Sequence, residues 1–196
     1  YKRTVSLNKP IKFGFVRGPV WNFGDEDMKH GIEQFVKNTQ LDIEELDLGK
    51  DFDDAAKAHE IIMNGSIANS LMNYYQTDKS NLHPFTIKRI EAGIPVSASD
   101  YVSAIEQAKK MEQILKQFFK KYDAIITPAA PGQAPRDLMN TGNAIFNGYW
   151  TMMGVPAISL PFLKGKDDLP IGIQFIANWS EDLKLLEICK YILKKE

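Results

Sequence analysis

Cysteine is almost absent from this 196-residue chain: the one residue present, Cys189, cannot close an intramolecular disulfide. Three scattered histidines, His30, His59 and His83, give no metal-ligand spacing with it. A disulfide framework and structural zinc are therefore excluded, and no metal or cofactor is expected. An excess of one charge is missing too. The 24 Lys plus Arg nearly cancel the 25 Asp plus Glu, leaving a formal charge of -1, so a nucleic-acid partner is not expected. No apolar run approaches the roughly 18 residues that a membrane span needs. The stretch Tyr1 to Lys12 also lacks the charged-then-apolar layout of a signal peptide. No membrane contact and a cytoplasmic location are expected. Phosphate-cradling glycine loops, a G-x-S-x-G elbow, an H-E-x-x-H pair and internal repeats are all lacking. So is an initial methionine, which suggests a fragment, a processed product or a segment chosen for expression.

What is present is the composition of a globular protein, 44% hydrophobic and 11% aromatic, long enough for one sizeable core. Lys9 to Val16 alternates Ile11, Phe13 and Phe15 against Lys12 and Gly14, the period of a half-buried strand. Asp25-Glu26-Asp27 then opens a helix carrying Met28, Ile32, Phe35 and Val36, and Leu41 to Leu46 reads as a second strand. This strand–helix–strand unit fits a crossover between parallel strands and points to an α/β fold. A long helix is predicted from Asp53, with Ala56, Ile61, Ile62, Ala68, Leu71 and Tyr75 on its apolar face and Gly65 as a weak point. His83-Pro84 and Gly93-Ile94-Pro95 bracket a shorter one. Ser97 with Asp100 resembles a capping box and opens the clearest helix, with a stripe from Tyr101 through Ile105, Ala108, Met111 and Leu115 to Phe119. Glu106 with Lys110 and Glu112 with Lys116 are expected to pair on its wet side.

Asp123 to Pro128 is a short apolar run ended by proline, the pattern of a central strand. A long loop follows to about Asn143, and loops of this length are often functional. Pro156 to Phe162 and Ile171 to Ala177 read as two further strands. A closing helix is expected to be capped by Ser180, with Leu185, Leu186, Ile188, Cys189 and Ile192 facing inward. The histidines fall near predicted helix ends or loops, where structural or surface roles outweigh catalysis. Cys189, on an apolar face with no basic residue predicted beside it, reads as a structural thiol.

Tyr122 to Pro135, then Trp150 to Pro161 with its Gly154-Val155-Pro156-Ala157-Ile158-Ser159 run, then Leu169-Pro170-Ile171-Gly172-Ile173-Gln174, together resemble the carboxyl-terminal part of an amidase-signature hydrolase. Phe13 to Trp21 and Ser99-Asp100-Tyr101 resemble later segments of the same family, so the similarity covers nearly the whole chain. It implies a layered α/β/α fold with a mixed, largely parallel sheet, incomplete relative to the full amidase-signature fold. Residues 1–196 would be the carboxyl-terminal portion of one amidase domain.

The resemblance also implies a chemistry. Family members cleave amides with a serine activated through a second serine, held by a cis peptide bond, by a neutral lysine. Both serines sit in a glycine- and serine-rich stretch whose N–H groups stabilise the oxyanion. This chain contains no Ser-Ser or Gly-Gly pair, so no serine, Ser66 and Ser159 included, is assigned to that machinery. No catalytic residue is expected here. The family's later half shapes the substrate pocket, which makes Asn143, Phe146, Trp150 and Thr151 candidates for binding a small-molecule amide. For the two aromatics, core packing is an equal reading. Arg89 resembles an arginine that meets the substrate carboxylate in the transfer-RNA amidotransferase branch; a solvated helix arginine is the alternative. Two function classes stay open: an amide hydrolase segment lacking its catalytic triad, and a noncatalytic binding or assembly module. The missing half should leave apolar surface or a sheet edge exposed, with self-association as a possible result.

Overall fold

The structure is a computed structural model that describes residue 7, residues 10–137 and residues 139–195. Among the described residues, five strands form one sheet: β1 (Lys12–Phe15), β2 (Asp42–Glu45), β3 (Ala124–Pro128), β4 (Ala157–Lys164) and β5 (Pro170–Ile176). Their order is β2-β1-β3-β5-β4. β1 is parallel to β2 and β3, with Phe13 opposite Ile43 on one side and Ala124 on the other. β5 is antiparallel to both β3 and β4. The sheet is therefore mixed, parallel on the side of the crossover unit and antiparallel where a hairpin joins β4 to β5. Lys9, placed in the first strand by the alternation, lies outside the described residues.

Six helices of the described residues surround the sheet: α1 (Glu26–Asn38), α2 (Ala55–Thr77), α3 (Pro84–Gly93), α4 (Ala98–Lys121), α5 (Ile145–Met153) and α6 (Asp182–Ile192). β3 is buried at all five positions, as expected of a strand paired on both sides. A train of rings ties the layers together. Phe35 of α1 stacks on Phe162 of β4 at 5.4 Å, Phe162 meets Phe175 of β5 edge-on at 6.5 Å, and Phe175 meets Phe13 of β1 at 6.4 Å. Across the carboxyl-terminal side, Lys184 of α6 reaches the buried Asp123 at 3.1 Å.

Several local expectations are corrected. α2 does not bury its large apolar residues; its buried positions are Ala55, Ala58, Asn64 and Ala68, while Ile61, Ile62 and Leu71 are only half-buried. Small residues win because α3 lies close: a β-carbon on Gly93 would strike the backbone carbonyl of Asn64. Ser97 does cap α4, its Oγ accepting from Asp100 N at 3.0 Å and donating to Asp100 Oδ2 at 2.6 Å. The two expected Glu–Lys pairs on α4 do not form among the described residues. Lys110 bonds Asp51 instead, and Lys116 lies over the Trp179 ring. Ser180 is not the cap of α6, whose N-cap is Glu181; Ser180 takes a left-handed turn conformation (φ 61°) just before it. α5 has no counterpart in the periodicity, because its nine residues are apolar nearly all round: Phe146, Tyr149, Trp150 and Met153 are all buried. It ends at Gly154, whose φ of 66° turns the chain into β4.

Candidate functional site

The long segment between β3 and α5 forms one wall of a cleft of about 920 Å³ at the carboxyl end of β3. Three contacts fix the start of that segment. Ala129 N–H donates to Gly172 O of β5 at 3.2 Å, Asn147 Nδ2 of α5 donates to Ala129 O at 3.0 Å, and Asp25 N–H donates to Pro131 O at 2.7 Å. Gly132 lets the Asp25 carboxylate lie close against the loop, where a β-carbon would displace it. Further along, Gln133 Nε2 donates to Asp167 Oδ2 at 2.5 Å and its Oε1 accepts from Asp167 N at 3.1 Å. Arg136 adds a second hold on the same carboxylate at 2.6 Å. First the Arg136 guanidinium and then the Gln133 amide keep the Asp167 carboxyl below the usual carboxylate range. The loop is thus latched to the tip of the β4–β5 hairpin.

The cleft floor is polar. Thr127, Gln174 and Ser159 are register partners across β3, β5 and β4, so they share one face of the sheet. Gln174 and Ser159 line the cleft. Beside them is a buried group of polar atoms, Thr127 Oγ1, Gln174 Nε2, Tyr149 OH and Trp150 Nε1, none with a hydrogen-bond partner among the described residues. Burial pushes the Tyr149 phenol up. Among the described residues, the charged ones lining the cleft are Asp25 and Asp137, so what it offers a ligand is mainly neutral hydrogen bonding from Asn143, Asn147, Ser159 and Gln174.

Of the residues singled out from the sequence, Asn143 lines this cleft, where its Oδ1 also accepts from Ile145 N–H at 3.0 Å and starts α5. Phe146 and Trp150 are in the core, 0% and 1% exposed. Thr151 is exposed on α5 but does not line the cleft. Arg89 is apart from it, on α3, bonded to Glu60 and Asn64 at 3.3 Å each and stacked over Phe85. Asn147 is the cleft residue that sequence reasoning missed. It lies in the first turn of α5, a helix that the periodicity did not show. Ser66 meets the Tyr101 hydroxyl at 3.0 Å, and neither Ser66 nor Ser159 is hydrogen-bonded to a base among the described residues. Cys189 is buried, and its thiol is pushed up to about 11 by that burial.

The amidase family model matches residues 2–186. The chain belongs to the amidase family. A glutamyl-tRNA(Gln) amidotransferase subunit of Aliarcobacter butzleri is 34% identical over 125 residues, 58% of this chain and 28% of that protein. Fatty acid amide hydrolase of Medicago truncatula is 35% identical over 98 residues, 43% of this chain and 16% of that protein. A solved amidase superposes on 98% of the chain with a TM-score of 0.82 at 17% identity, yet only 46% of that amidase is matched. Kluyveromyces lactis allophanate hydrolase superposes on 94% of the chain with a TM-score of 0.72, over 32% of its own length. This amidase-family chain therefore spans about a quarter or less of these two curated relatives and under half of these solved structures. Among the described residues no helix is long and apolar enough to cross a membrane.

Proposed function

We propose that this chain is the carboxyl-terminal portion of an amide-bond hydrolase of the serine–cis-serine–lysine type, supplying the pocket wall and not the nucleophile. The observation that supports this is the pairing of a polar cleft, in which Ser159 meets no base among the described residues, with a sequence free of Ser-Ser and Gly-Gly pairs. Relatives named amidase, amidotransferase and fatty acid amide hydrolase all handle amides, and a floor of carboxamides and a hydroxyl suits an amide ligand. In this reading residues 1–196 belong to one amidase domain, the substrate is a small-molecule amide, and the protein acts in the cytoplasm without membrane or nucleic-acid contact. Asn147 of α5 and Asn143, just before that helix, orient the amide. Phe146 and Trp150 act from the core by setting the position of α5, and Arg89 and Thr151 meet only a substrate that extends beyond this cleft. The serine pair, its lysine and the oxyanion donors come from the rest of the amidase fold.

The test is to incubate the chain with a serine-reactive fluorophosphonate and map adducts by mass spectrometry. No stoichiometric adduct is expected, and one on Ser66 or Ser159 overturns the reading. Supplying the amino-terminal half of the fold should bring amide hydrolysis. Failure to hydrolyse any amide in that assembly would favour a noncatalytic module.

A further inference from the structure

The cleft at the end of β3 is lopsided in charge. Among the described residues its charged lining is Asp25 and Asp137, while Arg89 is apart from it and bonded to Glu60. Asp25 is the N-cap residue of α1, yet its side chain makes no capping bond, and its carboxylate lies against Gly132 of the cleft wall. Asp137 Oδ1 accepts from the Met139 backbone N–H at 2.9 Å. Neither carboxylate is paired with a cation among the described residues. Asp25 also borders a neighbouring groove, where the cations Arg136 and Lys166 stand among Glu26, Asp27 and Asp167, and Arg136 is held by Asp167. The rim keeps a negative surplus, and a concave wall of low dielectric focuses such a field on whatever binds inside.

The floor is built for a ligand as well. Gln174 is only 5% exposed, lines the cleft, and its Nε2 has no hydrogen-bond partner among the described residues. A buried amide donor left unpaired destabilises the fold, so a ligand acceptor gains by meeting it. Asn147 offers the complementary group: its Nδ2 donates to Ala129 O, which leaves its Oδ1 free to accept. A primary amide presents the matching carbonyl and N–H.

We propose that this cleft selects amides that carry a positive charge, such as an ω-amino amide, with Asp25 and Asp137 setting the preference and Gln174 receiving the amide carbonyl. The ammonium group faces the rim carboxylates while the amide end meets Gln174 and Asn147. An amide bearing a carboxylate is disfavoured, because like charges meet and no cation lines the cleft among the described residues to offset them. The inference rests on the proposed function for the ligand being an amide; the sign of its charge is read from the cleft itself.

NMR titrations of the full chain with valeramide, 5-aminovaleramide and glutaramate test this, since the three share one length and differ in charge at neutral pH. The side-chain amide signals of Gln174 and Asn147 should shift with each ligand that binds. 5-Aminovaleramide should bind about three- to tenfold more tightly than valeramide at low salt, and glutaramate more weakly than either. High salt should shrink the gap. Asp25→Asn with Asp137→Asn should abolish it; both sites are exposed and asparagine serves equally at an N-cap, so the variant stays folded. Gln174→Met should weaken all three amides by a similar factor and leave their ratios unchanged. Glutaramate binding as tightly as 5-aminovaleramide, a charge preference that survives in the double asparagine variant, or no saturable binding of any of the three would each overturn the proposal. Hydrolysis of anionic amides ahead of cationic ones in the assembled fold removes this inference alone, whereas a fluorophosphonate adduct on the isolated chain removes the functional reading alone.

Discussion

Gln133 and Asp167, thirty-four positions apart, hold each other twice: the Gln133 amide donates to the Asp167 carboxylate and accepts from the Asp167 backbone N–H. Because Gln133 lines the cleft and Asp167 sits at the hairpin tip, the pair converts a loop without regular structure into a fixed wall. Close approach is possible because residue 165 is glycine; a β-carbon there would run into the Gln133 side chain.

Asp167→Ala should therefore loosen the wall without unfolding the chain, since Asp167 is on the surface of the hairpin. Amides between Ala129 and Asn143 should exchange several-fold faster, and trypsin should cut after Arg136 more readily. Acid should do the same to the unaltered chain. The Asp167 carboxyl is held low in the folded state, so its contribution is intact above the ordinary carboxylate range and is lost as pH falls through the lowered value. A loop that exchanges identically in the variant and at low pH would show that the latch holds nothing.

His59 packs on α5, with a β-carbon on Gly148 lying only 2.6 Å from its Nδ1. Burial, and secondarily the charge of Arg89, lowers its pKa from 6.5. The unfolded chain then takes up a proton near pH 6.5 that the folded chain refuses, so stability falls as pH drops through and below that value. His59→Gln should flatten this dependence. Thermal melts at pH 7 and pH 5 check it; equal losses in both proteins would assign the effect to other groups.

Trp150→Ala should cost about 3–5 kcal/mol, a large part of a typical folding free energy of about 5–15 kcal/mol. Asn143→Ala removes one hydrogen bond to Ile145 N–H, worth about 0.5–1.5 kcal/mol, and should leave a folded chain. Under the proposed function, Asn143→Ala in the chain assembled with the rest of the fold should change the kcat/KM ratio between a small and a bulky amide, while Trp150→Ala lowers both in step with the folded fraction. Urea melts beside the kinetics separate the two. A constant substrate ratio in Asn143→Ala would make Asn143 merely the start of α5.

Gly93→Ala should destabilise by about 1–3 kcal/mol, because its new methyl group meets the Asn64 carbonyl, which belongs to a helix backbone and cannot swing aside. At this chain length that corresponds to a fall of roughly 2–4 °C in Tm per kcal/mol. A melt unchanged by the substitution would mean that α3 rides free of α2.

The sequence by itself determined the strand–helix–strand unit, the central strand at Asp123 to Pro128, the Ser97 cap and the family, because each is written in local chemistry: alternation, capping residues, or a run such as Gly154-Val155-Pro156. It also marked the loop before Asn143. Tertiary structure alone decided the rest. α5 was illegible because its short, mostly apolar run blurs the 3.6-residue period, and with it the place of Asn147 in the cleft. Arg89 and Thr151 stand outside the cleft that Asn143 lines, although all three are polar, because where a side chain ends depends on how α3 and α5 pack rather than on its type. The Gln133–Asp167 latch and the Thr127–Gln174–Ser159 row join residues far apart in the chain, and no local pattern encodes a contact whose partner is chosen by strand order and register.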